Sequence, residues 1–242
     1  MTLPPDTVGP VSGVDSFDEP GRYQADLVLG LTEPHEGDRY LDVGAGLGAM
    51  VHVIGPHVGA TVGVDLAQPV LGPLRARAPA LYPVAADAAA LPFAAPAFTL
   101  ATCDGVLHHT AEPGAVLAEA ARVLLPGGRL LLLEPAGPEH PVLRQARDDI
   151  ERTRAPDHVA ILAPTRVRAL LDEAGLELRA EERQTEDCRD DQWVALAGGD
   201  LDAVRGAIRR HRELAGGFRV LRWQDGGFLF RRERAYYLAV RP

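Results

Sequence analysis

Lysine is absent from this chain; all 25 of its basic residues are arginine. No lysine Schiff base and no lysine-dependent phosphate loop can therefore be part of its chemistry. The all-arginine usage, with abundant alanine, glycine and proline, reads as the codon habit of a GC-rich genome. Cysteine is almost as scarce: Cys103 and Cys188 are the only two. They form neither a disulfide framework nor a zinc ribbon, so a reducing compartment is expected. Excess positive charge is lacking too. The net charge is −9, which argues against a nucleic-acid partner held through phosphates. No apolar run approaches the roughly 18 residues that a membrane span needs. The first residues, MTLPPDTVGPVSG, carry no basic segment followed by an apolar one, so no secretory signal is read there. A cytoplasmic globular protein is the expectation. Its 242 residues suffice for one sizeable core without disulfides or a structural metal.

What is present is an alternation. Residues 1–16 read as a flexible leader rich in proline and glycine, and 17–31 as a short leading helix. RYLDVG (39–44), TVGVDL (61–66), LYPVAAD (81–87), AFTLATCDG (97–105) and RLLLLEP (129–135) are short apolar runs. Helical segments separate them over 47–57, up to about 77, and 113–125. Strand, helix, strand at this spacing predicts an α/β protein with a doubly wound, mostly parallel sheet. Further on, helices are expected over 141–153 and 165–174, a sixth strand over 176–183, and a final strand over 231–241 on a sheet edge. Residues 17–242 read as one domain. The stretch 184–228 reads as an insertion between strands six and seven, either covering a substrate or packing on the sheet edge. It holds Trp193 and an amphipathic helix from 201 to 214.

Strand one ends in Asp42-Val43-Gly44-Ala45-Gly46-Leu47-Gly48. Alternate glycines let the backbone turn sharply and let a ligand approach it closely, and open α/β sheets bind ligands at the carboxyl ends of their strands. Asp65, ending strand two, is placed to accept hydrogen bonds from two ribose hydroxyls; the plainer reading is a helix cap. Asp87, after strand three, is placed to accept from an adenine amino group, with the Ala88 N–H beside it. The same glycine pattern, with Ala49 last, also satisfies the G-x-G-x-x-G/A dinucleotide fingerprint. An NAD(P)-dependent oxidoreductase is thus the rival reading.

LDVGAGLG, VGVDLA, AADAAALPF, LATCDGVLHH and EAARVLLPGGRLLLLEP occur in that order and spacing. Together they resemble class I S-adenosylmethionine-dependent methyltransferases, of the branch related to ubiquinone/menaquinone-biosynthesis C-methyltransferases, over about residues 17–183. The resemblance implies seven strands with the last antiparallel, and S-adenosylmethionine as cofactor with S-adenosylhomocysteine as product. It implies a cofactor site at Asp42, Gly44, Ala45, Gly46, Leu47, Gly48, Asp65, Leu66, Asp87, Ala88, Cys103 and Asp104. The family usually writes Phe-Asp where this chain has Phe98-Thr99, and the acidity of Asp104 is also a departure. That carboxylate is placed to face the cofactor's amino group or a substrate.

Methyl transfer from a sulfonium is an in-line displacement whose chief demand is alignment. A base is needed only where the nucleophile must lose a proton. His108, just past strand four, is the candidate; His109 diverges from it by about 100° in a helical turn. Glu134 is a second candidate, or else it holds the next loop. Asp157-His158 is a further pair within reach of a pocket, Tyr23 a candidate lid, and no metal-ligand spacing is found. The expected activity is methylation of a small molecule at oxygen, nitrogen or carbon. A non-catalytic S-adenosylmethionine-binding protein on the same fold is the alternative.

Overall fold

The computed structural model describes residues 25–77, 80–94, 96–195, 197–211, 219–224 and 227–242. The expected leader (1–16) and Tyr23 lie outside the described residues. Five parallel strands come first: β1 (Arg39–Val43), β2 (Ala60–Asp65), β3 (Leu81–Ala85), β4 (Phe98–Asp104) and β5 (Leu124–Pro135). The crossovers carry α2 (Ala49–Ile54), α3 (Gln68–Arg77) and α4 (Pro113–Val123), while α1 (Ala25–Thr32) precedes β1. After β5 follow α5 (Pro141–Arg154), α6 (Pro164–Glu173), β6 (Glu177–Arg189), α7 (Asp190–Ala195), α8 (Leu201–Arg210), β7 (Arg219–Gln224) and β8 (Gly227–Val240).

The strands run in the order β3-β2-β1-β4-β5-β8-β6. This is the predicted doubly wound sheet with an antiparallel last strand. The expected edge position of that strand is corrected: β8 lies between β5 and β6. Its alternation misled because even its outward-facing positions are covered by packed neighbours. Tyr236 is buried on one face and Ala235, Tyr237 and Ala239 on the other.

β5 shows the same two-sidedness. Leu130 and Leu132 enter the core beneath α4 and α6, whereas Leu131 and Leu133 enter the one beneath α1, α2 and α3. Such alternation within a continuous apolar run marks a strand covered on both faces. The amino ends of the strands are stitched by Asp38, whose two carboxylate oxygens both accept from Arg129 Nη2 at 2.7 Å. Thr99, at the position where aspartate is usual, donates to Asp38 at 2.7 Å and accepts from the Arg39 N–H.

β6 continues six residues beyond its expected end, and β7 pairs with residues 227–231 of β8. Around residues 229–231, β8 has β6 along one edge and β7 along the other. Residues 234–240 have β6 and β5. β7 therefore prolongs the row of β5 past the carboxyl end of the parallel strands. There a third apolar cluster forms, with Ile150 of α5, Trp193, Val194, Val204, Ala207, Ile208, Phe228 and Phe230. Among the described residues, no helix is long and apolar enough to cross a membrane.

Candidate functional site

The sheet order reverses beside β1, and a cavity of about 650 Å³ opens there at the carboxyl ends of the strands. Gly44, Asp65, Leu66, Asp87, Ala88, Asp104 and Gly105 line it, together with Val106, His109 and Asp157. Gly44 has φ +72°, and a Cβ on it would come within 2.3 Å of the Val106 side chain. No other residue type fits between the two loops. Gly44 and Ala45 both donate to the Val64 carbonyl at 2.8 Å, which folds the loop back over β2.

Asp65 is held by backbone: Gly46 N–H donates to Oδ2 and Ala67 N–H to Oδ1, each at 2.8 Å. Each oxygen keeps a second lone pair for a hydroxyl. Asp87 is exposed and accepts from Ala89 N–H at 2.8 Å. Leu66 is 73 % exposed, an apolar wall on the rim of a pocket otherwise rich in carboxylates.

Other expected site residues lie elsewhere. Ala45, Gly46, Leu47 and Gly48 form the turn itself and leave only Gly44 on the cavity wall. Asp42 is buried below the loop, accepting from Thr102 Oγ1 at 2.6 Å; Thr102 in turn meets the Tyr40 hydroxyl at 2.6 Å. Burial, abetted by the charges of Asp104 and Asp65, pushes the Asp42 carboxyl up to about 7. Cys103 is fully buried in the sheet core and does not reach the cavity, because it points to the opposite face from Asp42's partner Thr102.

The two adjacent histidines diverge as expected, in the 3-10 turn Leu107–His109. His108 is buried, its Nδ1 2.6 Å from Glu134 Oε2, while Glu134 Oε1 accepts the Leu107 N–H at 2.7 Å. Glu134 thus orients the His108 ring and holds the Leu107–His109 turn. The His108 carbonyl accepts from Val159 and Ala160 N–H groups, which ties the 155–163 loop to this turn. The His108 ring edge also lies against the cavity-lining Gly105, where an added Cβ would come within 3.4 Å of Cε1.

His109 faces the cavity, and its Nδ1 is 3.1 Å from Asp157 Oδ2. Burial opposes its charged form, but the bond and charge of Asp157 outweigh this and raise its pKa. The same bond holds Asp157 down at about 2. The Asp157-His158 pair of the sequence is therefore split. His158 is buried and meets Asp148 Oδ1 at 2.8 Å.

Sequence reasoning missed His109 as a lining residue. It also missed the buried charges of α5: Arg147, Asp148 and Glu151. The sole signal for these was an inward helix face, Ala146 and Ile150, interrupted by charged residues.

Residues 41–132 match the family model of a methyltransferase domain. An uncharacterised methyltransferase of Bacillus subtilis (strain 168) is 28% identical over 187 residues, which is 75% of this chain and 74% of that protein. A demethylmenaquinone methyltransferase of Mycobacterium sp. (strain KMS) is 32% identical over 186 residues, 73% of this chain and 78% of the relative. The crystal structure of the YcgJ protein from Bacillus subtilis shares the fold, with a TM-score of 0.83 at 24% identity. That match covers 90% of this chain and 97% of the other.

Proposed function

Because the chain belongs to the class I S-adenosylmethionine-dependent methyltransferases, we propose that it methylates a small molecule with its cofactor lying across the carboxyl ends of β1, β2 and β4. The observation that carries this reading is one cavity uniting the Gly44 turn, Asp65, Asp87 and Asp104. These residues fit the cofactor. The turn offers backbone with no side chain in the way, and the exposed Leu66 gives an apolar face for a purine. Asp65 takes the ribose hydroxyls, Asp87 and the Ala88 N–H take the adenine edge, and Asp104 faces the amino group.

S-adenosylmethionine supplies a methyl group on a sulfonium centre, already activated for displacement. The chain's own part is alignment and proton removal. His108 serves as the base: Glu134 holds its Nδ1, and the Cε1 edge of the ring lies toward the cavity-lining Gly105. A buried carboxylate behind an imidazole also stabilises the cation formed when that ring accepts a proton. The demethylmenaquinone methyltransferase relative supports an acceptor of small-molecule size.

The test is calorimetric titration of cofactor-stripped protein with S-adenosylmethionine, S-adenosylhomocysteine and NADH. Asp65→Ala and Asp87→Ala are the variants. Among the described residues Asp87 accepts a single backbone bond, so it reports on the ligand even where Asp65→Ala disturbs the turn. Micromolar binding of the first two ligands is expected, weakened about tenfold or more by either change. Well-folded protein that binds neither ligand would sink the reading, and binding of NADH alone would replace it with a dehydrogenase.

A further inference from the structure

A cofactor held by Asp65, Asp87 and Asp104 leaves part of the cavity wall unused, and His109 and Asp157 belong to that part. They come from separate stretches of chain: His109 from the 3-10 turn after β4, Asp157 from the loop that joins α5 to α6. The imidazole Nδ1 is 3.1 Å from Asp157 Oδ2 and 3.4 Å from the Asp157 carbonyl oxygen. Both contacts are to oxygens that accept, so Nδ1 carries a proton and Nε2 is the ring nitrogen left for a ligand. The frame around this dyad is fixed. The His108 carbonyl accepts from Val159 N–H at 2.9 Å and from Ala160 N–H at 3.2 Å. Buried Asp148 meets His158 Nε2 at 2.8 Å and accepts the Ile161 N–H at 2.7 Å. The residues that follow Asp157 are thereby anchored both to the turn that carries His109 and to α5. The pair itself is open, with the His109 side chain 31 % and the Asp157 side chain 75 % exposed. An exposed ion pair adds little to stability, so a dyad held this firmly at the cavity points to a ligand.

Its chemistry differs from that of the rest of the wall. Among the described lining residues, His109 and Thr110 have side chains that donate a hydrogen bond, and His109 alone can be cationic. Burial opposes the charged ring, and the bond and charge of Asp157 outweigh it. Around the pair also stand Glu134 of β5 and Arg154 of α5, whose charge acts on Asp157. The His108 ring is 4.1 Å away and the His158 ring 6.3 Å, centroid to centroid. A group that gives its proton to His108 therefore lies within reach of His109. A cationic donor placed where negative charge develops stabilises it most in a site from which water is excluded.

We infer that His109 is a further catalytic residue, oriented by Asp157, and that its Nε2–H holds the oxygen of the methyl acceptor on which charge gathers as His108 removes a proton. In that step an O–H or activated C–H bond of the acceptor breaks. The proton passes to His108, and the electron pair stays on the acceptor, its charge resting on the oxygen that faces His109. The acceptor is then a molecule whose reacting form is an oxyanion. The inference rests on the methyltransferase reading of the cavity and on His108 as the base.

The experiment uses the full chain and reads binding. S-adenosylhomocysteine is titrated into wild type, His109→Gln, Asp157→Asn and Asp157→Glu, and thermal unfolding confirms that the variants are folded. Each protein, saturated with S-adenosylhomocysteine, is then titrated across pH with 4-nitrophenol, whose ionised form is read by its absorbance. Nitrobenzene, which lacks the hydroxyl, is the control. Loaded wild type is expected to bind the phenolate at least about fivefold more tightly than the phenol. His109→Gln keeps a donor and loses the charge, so that preference should drop about three- to tenfold, with nitrobenzene affinity changed less than about twofold. Asp157→Asn should lower the pH at which the His109 ring titrates by NMR and weaken the phenolate preference in step. Asp157→Glu should restore part of both. A phenolate preference unchanged in His109→Gln, or 4-nitrophenol that does not bind loaded wild type, overturns the inference and leaves the cofactor site standing. So does a His109 titration indifferent to Asp157→Asn. Folded wild type that binds no S-adenosylhomocysteine removes the cofactor site itself, and the inference with it.

Discussion

Asp42 shows how a side chain can lie beneath the glycine turn without touching the cavity. Its carboxyl is buried, bonded to Thr102, and surrounded by the acidic neighbours Asp104 and Asp65. The folded protein therefore holds this proton up to about pH 7, whereas an unfolded chain releases it near pH 4. A group whose pKa is raised on folding stabilises the native state fully below its unfolded value. That contribution is lost as pH rises through the folded value. Stability is thus expected to fall between about pH 4 and 7 on account of this group. Asp42→Asn, which keeps an acceptor for Thr102, should flatten that part of the profile. Urea unfolding of both proteins at several pH values checks it; parallel profiles would show that Asp42 does not titrate there.

Residue-level legibility was uneven for physical reasons. The places of Asp65 and Asp87 on the cavity wall could be read because a strand end followed by a carboxylate is local in sequence. His109 facing the cavity could not, since its direction depends on Asp157, which the fold brings from 48 positions away. Cys103 was drawn into the expected site by its place in a motif, yet the pleat of β4 turns it into the core.

Among the elements, α4 does more than cover the sheet. Glu119 accepts the Leu91 N–H at 2.7 Å, and Arg122 donates to the Leu91 and Phe93 carbonyls at 2.9 Å each. The two side chains also pair with each other, 2.6 Å from Nε to Oε1. One helical turn thereby clamps the segment that leads away from Asp87 and Ala88. Arg122→Ala is expected to cost about 1–3 kcal/mol. It should also speed amide exchange over residues 87–93, and weaken S-adenosylhomocysteine more than it weakens fragments lacking the adenine. Equal loss for both ligands would mean that the clamp acts on stability alone. The motif EAARVLLPGG marks this helix in the sequence. Its targets, two carbonyls and an amide, leave no trace in side-chain chemistry.

At the scale of the molecule, the parallel strands with their helices and the cluster beyond the carboxyl edge have separate cores. Phe230 is fully buried in the latter, edge-to-face with Trp193 at 4.9 Å between ring centroids. Phe230→Ala is expected to cost about 3–5 kcal/mol. The loss should fall on α7, α8 and the start of β8, while S-adenosylhomocysteine affinity stays near wild type. Hydrogen exchange with bound and free protein separates the two; loss of cofactor affinity in step with stability would show one cooperative unit. The strand–helix alternation of the first 135 residues was legible because each crossover is short and periodic. The part beyond was not, because β8 pairs antiparallel with β5 and with β6 across long separations. Charged alternation in β6 and β8 looks the same on an edge as between paired neighbours.

The position of β8 also sets an order in time. β6 reaches the parallel strands only through β8, and Leu130–Leu133 of β5 find their partners in Tyr236–Ala239, more than a hundred residues later. A chain emerging from the ribosome thus carries five parallel strands whose β5 edge is apolar and open until residues 234–240 are made. Closure of the sheet is a late, long-range step. During that interval the open edge of β5 is the part of the nascent chain most in need of shielding from other chains.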